Sequence, residues 1–103
     1  MGSVEVVDRG SLEIVVFLSG DIKDGMGREL DAAIEDVARL EPPRVVVDTH
    51  ECISFGIAGV QFLDALRRRG RLEGWEVDLA AIGPAVRPVL EEAGWIHPIL
   101  HYG

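Results

Sequence analysis

Thiols are all but missing from this sequence. Cys52 is the one cysteine in 103 residues, so no disulfide can close within the chain. No charged-then-apolar leader opens it, and both observations point to the cytoplasm. Long hydrophobic runs are missing too: the stretch from Leu12 to Leu18 stops at strand length, far short of the roughly 18 apolar residues that span a membrane. Basic residues are outnumbered, with 10 Lys and Arg against 18 Asp and Glu. The resulting net charge of −8 repels phosphate backbones and anionic lipid, which excludes nucleic acid and membrane surfaces as partners and favours a basic or amphipathic protein. Four of the basic residues, Arg67, Arg68, Arg69 and Arg71, crowd together and read as a solvated helix end whose charges oppose the C-terminal dipole. Catalytic motifs are absent as well. No Gly-rich phosphate loop, nucleophile elbow or zinc-protease motif occurs, and Gly25-Met26-Gly27 is too short for a dinucleotide fingerprint. No enzyme activity and no cofactor are implied.

What is present is a globular composition, 48% hydrophobic and 27% charged. A chain of this length buries about two thirds of the surface it exposes when unfolded, so residues 1–103 are expected to form a single domain around one core. Val4-Glu5-Val6-Val7 and the run from Ser11 to Leu18 read as strands joined by the turn Asp8-Arg9-Gly10. From Met26 to Leu40, the residues Leu30, Ala33, Ile34, Val37 and Leu40 fall at helical spacing, and Pro42-Pro43 ends the pattern. Val45-Val46-Val47 is a short apolar run of the kind buried on both faces of a sheet, with Asp48 at its C-terminal end. The stretch from Thr49 to Gly56 reads as irregular. A second helix runs from Ile57 to about Arg69 with Val60, Leu63 and Leu66 inward and Gly70 as its stop. Trp75 to Ala80 alternates like a strand. Gly83-Pro84 then opens a third helix with Pro at its first position, and Gly94 closes it. Ile96 to Leu100 reads as a last edge strand. The expected fold is α/β: a four- to five-stranded mixed sheet covered by about three helices, in the order β-β-α-β-α-β-α-β.

That order and several local motifs together resemble a STAS domain, the family of anti-sigma factor antagonists and related modules. The resemblance is carried by Leu18-Ser19-Gly20-Asp21-Ile22, by Val45-Val46-Val47-Asp48, by Gly59 with Leu63, and by Ile82-Gly83-Pro84-Ala85-Val86-Arg87 with Leu90 and Gly94. It covers nearly the whole chain and implies a non-catalytic, protein-binding function in bacterial regulation. In the antagonists, a motif of Asp, Ser, Ser or Ala, and Gly follows the third strand, and its first serine is phosphorylated by an anti-sigma factor kinase. Here the corresponding residues are Gly56-Ile57-Ala58-Gly59, so the acid has become Gly56 and the acceptor position, Ile57, has no hydroxyl. The family's Gly-Glu-Leu-Asp loop stands here as Gly20-Asp21-Ile22-Lys23, with a cation in place of the second acid. The family's usual C-terminal helix is also lacking, which suggests a face left for another subunit.

The resemblance therefore implies a partner-binding surface made of Ser19, Asp21, Lys23, Gly56, Ile57, Ala58 and Gly59. The partner is a protein such as an anti-sigma factor kinase, or a second copy in a homo-oligomer or larger regulatory assembly. Ile57 either completes the inward stripe Ile57-Val60-Leu63 or stands outward to enter a pocket on the partner. Gly56 is expected to allow an unusual backbone angle, and Gly59 a close approach of helix to sheet. Ser19, Thr49 and Ser54 are candidates for a displaced phosphoacceptor, against ordinary turn and strand-end roles. The run Asp48-Thr49-His50-Glu51-Cys52 holds metal-ligand types, but neighbours on an extended segment point to opposite sides and do not converge. His97 and His101 lie about 13 Å apart if extended, too far to share an ion. A small-ligand sensor is the remaining alternative, with Asp21, Asp48, Trp75 and Trp95 as its pocket.

Overall fold

The computed structural model describes residues 1–10 and 12–97. Its strands are β1 (Ser3–Asp8), β2 (Ile14–Ile22), β3 (Arg44–Phe55) and β4 (Glu76–Ala80), and its helices α1 (Gly27–Arg39), α2 (Ile57–Glu73) and α3 (Arg87–Glu92). The strands form one mixed sheet in the order β1-β2-β3-β4. β1 and β2 pair antiparallel, from Ser3 opposite Ser19 to Asp8 opposite Ile14, while β3 runs parallel to both β2 and β4. The opening turn is fixed by the Asp8 carboxylate, which accepts the Gly10 N–H at 2.9 Å. This is the expected architecture through the third helix. The strand expected over 96–100 falls mostly on positions outside the described residues.

One face of the sheet makes the core. Ile14, Val16, Leu18, Val45 and Val47 meet Leu30, Ile34 and Val37 of α1 and Phe62, Leu63 and Leu66 of α2, with Val86 and Leu90 closing one end. The buried positions of α1 repeat at three and four residues, which is the helical stripe read from the sequence. Arg69 of α2 ties the two helices across their outer surfaces, donating to Glu35 of α1 at 2.6 Å and also to Glu73. Val46 is buried as well, on the face that the helices do not cover, so Val45-Val46-Val47 is central on both sides as expected.

The second strand, read from Ser11 to Leu18, lies at Ile14–Ile22, and three further boundaries differ from the sequence expectation. The segment from Thr49 to Phe55 is not irregular but continues β3. Its buried residues are Thr49, Cys52 and Phe55, a three-residue rhythm in place of the two-residue one of a regular strand. Register shifts against β2, between Phe17 and Ser19 and between Gly20 and Asp21, produce that rhythm and conceal the strand. The second helix does not stop at Gly70, which is buried inside it with no room for a Cβ beside Trp75. The stop is Gly74, whose left-handed backbone at φ 92° returns its N–H to the Gly70 carbonyl at 2.7 Å. α3 begins at Arg87, not at Pro84, because Gly83 to Val86 first form a turn in which the Gly83 carbonyl accepts from Val86 and Arg87.

Of the cluster Arg67, Arg68, Arg69 and Arg71, only Arg71 therefore lies in the last turn of the helix. Arg67 stacks on the Trp95 ring, 4.0 Å from its centroid, beside the Asp64 carboxylate that accepts the Trp95 indole N–H at 2.9 Å. With Arg69 engaged by Glu35 and Glu73, two of the four cations serve packing and do not form one free patch.

Candidate functional site

The ends of β2 and β3 lie side by side, with Ile22 opposite Phe55. The Ile22 carbonyl accepts the Gly56 N–H at 2.8 Å, which fixes the turn into α2 against the loop that follows β2. Asp21, Lys23 and the turn Gly56-Ile57-Ala58-Gly59 are thus brought to one end of the sheet. Ser19 is not part of that group: its hydroxyl lies 2.6 Å from that of Ser3 on β1.

Asp21 is held in place by its neighbours. The Ser54 hydroxyl donates to Asp21 Oδ1 at 2.8 Å, and the N-terminal amine lies 3.6 Å from Oδ2. That hydrogen bond, followed by the positive charges of the amine and Lys23, keeps the carboxyl below its ordinary value of 3.8. Gly20 at φ 71° has no space for a side chain against the Met1 carbonyl, so this strand end requires glycine.

In the turn, the two glycines have different reasons. Gly59 faces the Phe55 ring so closely that a Cβ would stand 2.5–2.7 Å from its carbons. The close approach expected at Gly59 is therefore present. The unusual angle expected at Gly56 is not: at φ −97° and ψ −167° the residue is ordinary extended backbone, open to any amino acid. Ile57 is the first residue of α2 and is 72% exposed, so it stands outward and does not complete the core stripe. Ala58 lines a groove of about 440 Å³ between α1 and α2, together with Leu30, Phe62 and Ala65. Ile53, four residues before Ile57, is equally exposed. Sequence reasoning passes over it, although a lone apolar residue between Cys52 and Ser54 was the available signal.

The hydroxyl candidates separate by burial. Thr49 is fully buried and accepts the Gly83 N–H at 3.3 Å, Ser19 pairs with Ser3, and Ser54 is exposed beside Asp21. Cys52 is buried, with its S–H donated to the Leu18 carbonyl at 3.3 Å, and burial pushes its pKa up to about 11. Asp21, Asp48, Trp75 and Trp95 do not share a cavity. Asp48 lines a shallow cleft with Phe17 and His50, Trp75 lines another with Arg67 and Arg71, and the Trp95 N–H is taken by Asp64. Among the described residues, no three His, Cys, Asp or Glu are arranged to hold a metal ion. No helix there is long and apolar enough to cross a membrane.

Among the described residues, His50 carries a histidine–carboxylate ion pair on the uncovered sheet face. Its Nδ1 lies 2.5 Å from Asp48 Oδ1, which also accepts the His50 backbone N–H at 3.0 Å, and its Nε2 lies 3.5 Å from Glu51. The Asp48 hydrogen bond, then the charges of Asp48 and Glu51, raise the imidazole above its usual 6.5. The folded state therefore binds this proton more tightly than the unfolded chain. The pair's contribution to stability is complete below about pH 6.5 and is lost as pH rises through the folded pKa. An NMR titration should place His50 above 6.5, and Asp48→Asn should return it toward that value. An unchanged midpoint in that variant would remove the ion pair from the account.

A mixed sheet built from a β1–β2 hairpin and parallel β3 and β4, with a turn that exposes Ile57 at the start of α2, is the STAS arrangement. The model of the family described as "Mlab, STAS domain" matches residues 6–101, and the chain belongs to that family. Among solved structures it is similar to an anti-sigma factor antagonist from Mycobacterium paratuberculosis, with 28% identity and a TM-score of 0.75 over 92% of this chain and 80% of that one. The antagonist SpoIIAA in its unphosphorylated form aligns with 17% identity and a TM-score of 0.74, over 89% of this chain and 81% of the other. An antisigma-factor antagonist STAS domain from Rhodobacter sphaeroides gives 23% and 0.60, over 78% and 86%. The last two show the fold alone. No curated protein sequence matches the chain.

Proposed function

We propose that this chain is a protein-interaction module of the anti-sigma factor antagonist type, non-catalytic and cytoplasmic. It binds a regulatory partner through the turn at Gly56–Gly59 and the neighbouring Asp21 and Lys23, with no phosphate at position 57. The observation that carries the reading is Ile57: a large apolar side chain, 72% exposed, at the first position of a helix whose base is packed tightly by Gly59 against Phe55. The anti-sigma factor antagonist from Mycobacterium paratuberculosis, at 28% identity, supports the choice of partner class.

An exposed isoleucine that becomes fully buried in a partner contributes about 1.5–3 kcal/mol, which is on the order of ten- to a hundredfold in affinity. Ile57→Asp should therefore weaken binding to the cognate anti-sigma factor by at least that factor, measured by calorimetry, with an unchanged melting temperature. Incubation with that kinase and ATP should add no mass to the chain. Unaltered affinity of the Ile57 variant refutes the surface, and an added phosphate at any residue refutes the unphosphorylated mode of action.

A further inference from the structure

β1 is an edge strand. It pairs with β2 on one side, and no strand lies on its other side among the described residues. In an antiparallel pair, successive residues turn their N–H and C=O groups alternately toward and away from the partner, so half of Ser3–Asp8 presents free donors and acceptors outward. Beside that edge runs a groove of about 540 Å³ between β1 and α1. Val4, Val6 and Ala33 form its apolar floor, and Glu5, Glu29 and Asp36 stand around it. No lysine or arginine lines it. Among the described residues Glu5 and Glu29 make no ion pair, and Asp36 has only an exposed contact of 3.3 Å with Arg39, which contributes little.

We propose that this edge is a second docking site, for an extended basic segment of a protein partner that joins the sheet as a strand beside β1. The open edge supplies main-chain hydrogen bonds, and the side-chain pockets supply selectivity. Side chains on the inner face of such a strand meet Val4, Val6 and Ala33 at the centre and the acids of α1 at either end. Glu29 and Asp36 are seven residues apart on the helix, about 10 Å, and basic side chains four residues apart on a strand are about 13 Å apart, within the reach of flexible lysines. Outer-face side chains run past Glu5. A second copy of this chain fits worse. Two β1 edges meeting about a twofold axis set Glu5, Glu29 and Asp36 against the same acids, between molecules that each carry −8.

The test is an NMR titration of the full chain with the peptide Thr-Lys-Lys-Val-Lys-Lys-Thr at low salt, with Thr-Glu-Glu-Val-Glu-Glu-Thr as control. The basic peptide should shift resonances of Ser3–Asp8 and of Glu29 to Asp36 and slow amide exchange at alternate residues of β1. The acidic peptide should do neither. Glu29→Lys combined with Asp36→Lys should weaken binding about tenfold or more with an unchanged melting temperature, since both side chains are exposed. Glu29→Gln with Asp36→Asn should weaken it less, in the same direction, and Ile57→Asp should leave it intact. The proposal is overturned by shifts confined to the start of α2, by charge-reversed protein that binds equally well, or by a dimer that protects β1 without any peptide.

Discussion

Gly59→Val should destabilise the protein by about 1–3 kcal/mol or more, a lower urea midpoint with an unchanged slope. The reason is geometric. A Cβ at position 59 would stand 2.5 Å from the Phe55 ring, and that ring is itself buried at the end of β3, so it has little freedom to withdraw. Either α2 lifts from the sheet or Phe55 leaves its rotamer, and both loosen the turn that presents Ile57. Gly56→Ala is the matched control. Its nearest neighbour would be the Ile22 carbonyl at 3.5 Å, an ordinary contact, and its backbone is extended. It should change stability by about 1 kcal/mol or less in either direction, since restricting the unfolded chain offsets part of the weaker cap. Equal losses in the two variants would refute close packing as the reason for glycine at 59.

The same pair shows what the sequence could and could not reveal. A glycine states only that a side chain is unwelcome or a φ unusual, and spacing within a motif does not say which. Gly59 obeys the first reason and Gly56 neither, while Gly70 and Gly74 are both glycine but only Gly74 has the left-handed angle that ends a helix. Periodicity was informative wherever one face alone is buried, as in α1, and wherever a run is buried on both faces, as in Val45-Val46-Val47. It failed from Thr49 to Phe55, because irregular pairing with β2 shifts the inward side from every second residue to every third. Site residues followed the same division. Asp21, Lys23 and the turn converge because β2 and β3 end together, which follows from the order of elements. The outward direction of Ile57 and the coupling of Ser54 to Asp21 depend on the local rotation of chain, which no spacing rule carries.

Leu63→Ala should cost about 2–5 kcal/mol, the range for a leucine removed from a close-packed site. Leu63 is fully buried on α2, within the cluster that joins both long helices to the sheet, so the surrounding side chains cannot collapse into the gap without moving those helices. Small domains hold about 5–15 kcal/mol in all, so the loss is a large share and should lower the melting temperature by about 10 °C or more. Leu90→Ala deletes the same atoms at the same zero exposure, yet its effect should be smaller and local. Leu90 is the only buried residue of the six in α3, and its carbonyl receives the N–H groups of Trp95 and Ile96, so the variant can loosen that segment alone. Hydrogen exchange distinguishes the two: Leu63→Ala should speed exchange in β2, β3 and both long helices together, and Leu90→Ala chiefly from Val86 to Ile96. Were Leu90→Ala to accelerate the whole sheet equally, α3 would belong to the cooperative core and not to its margin.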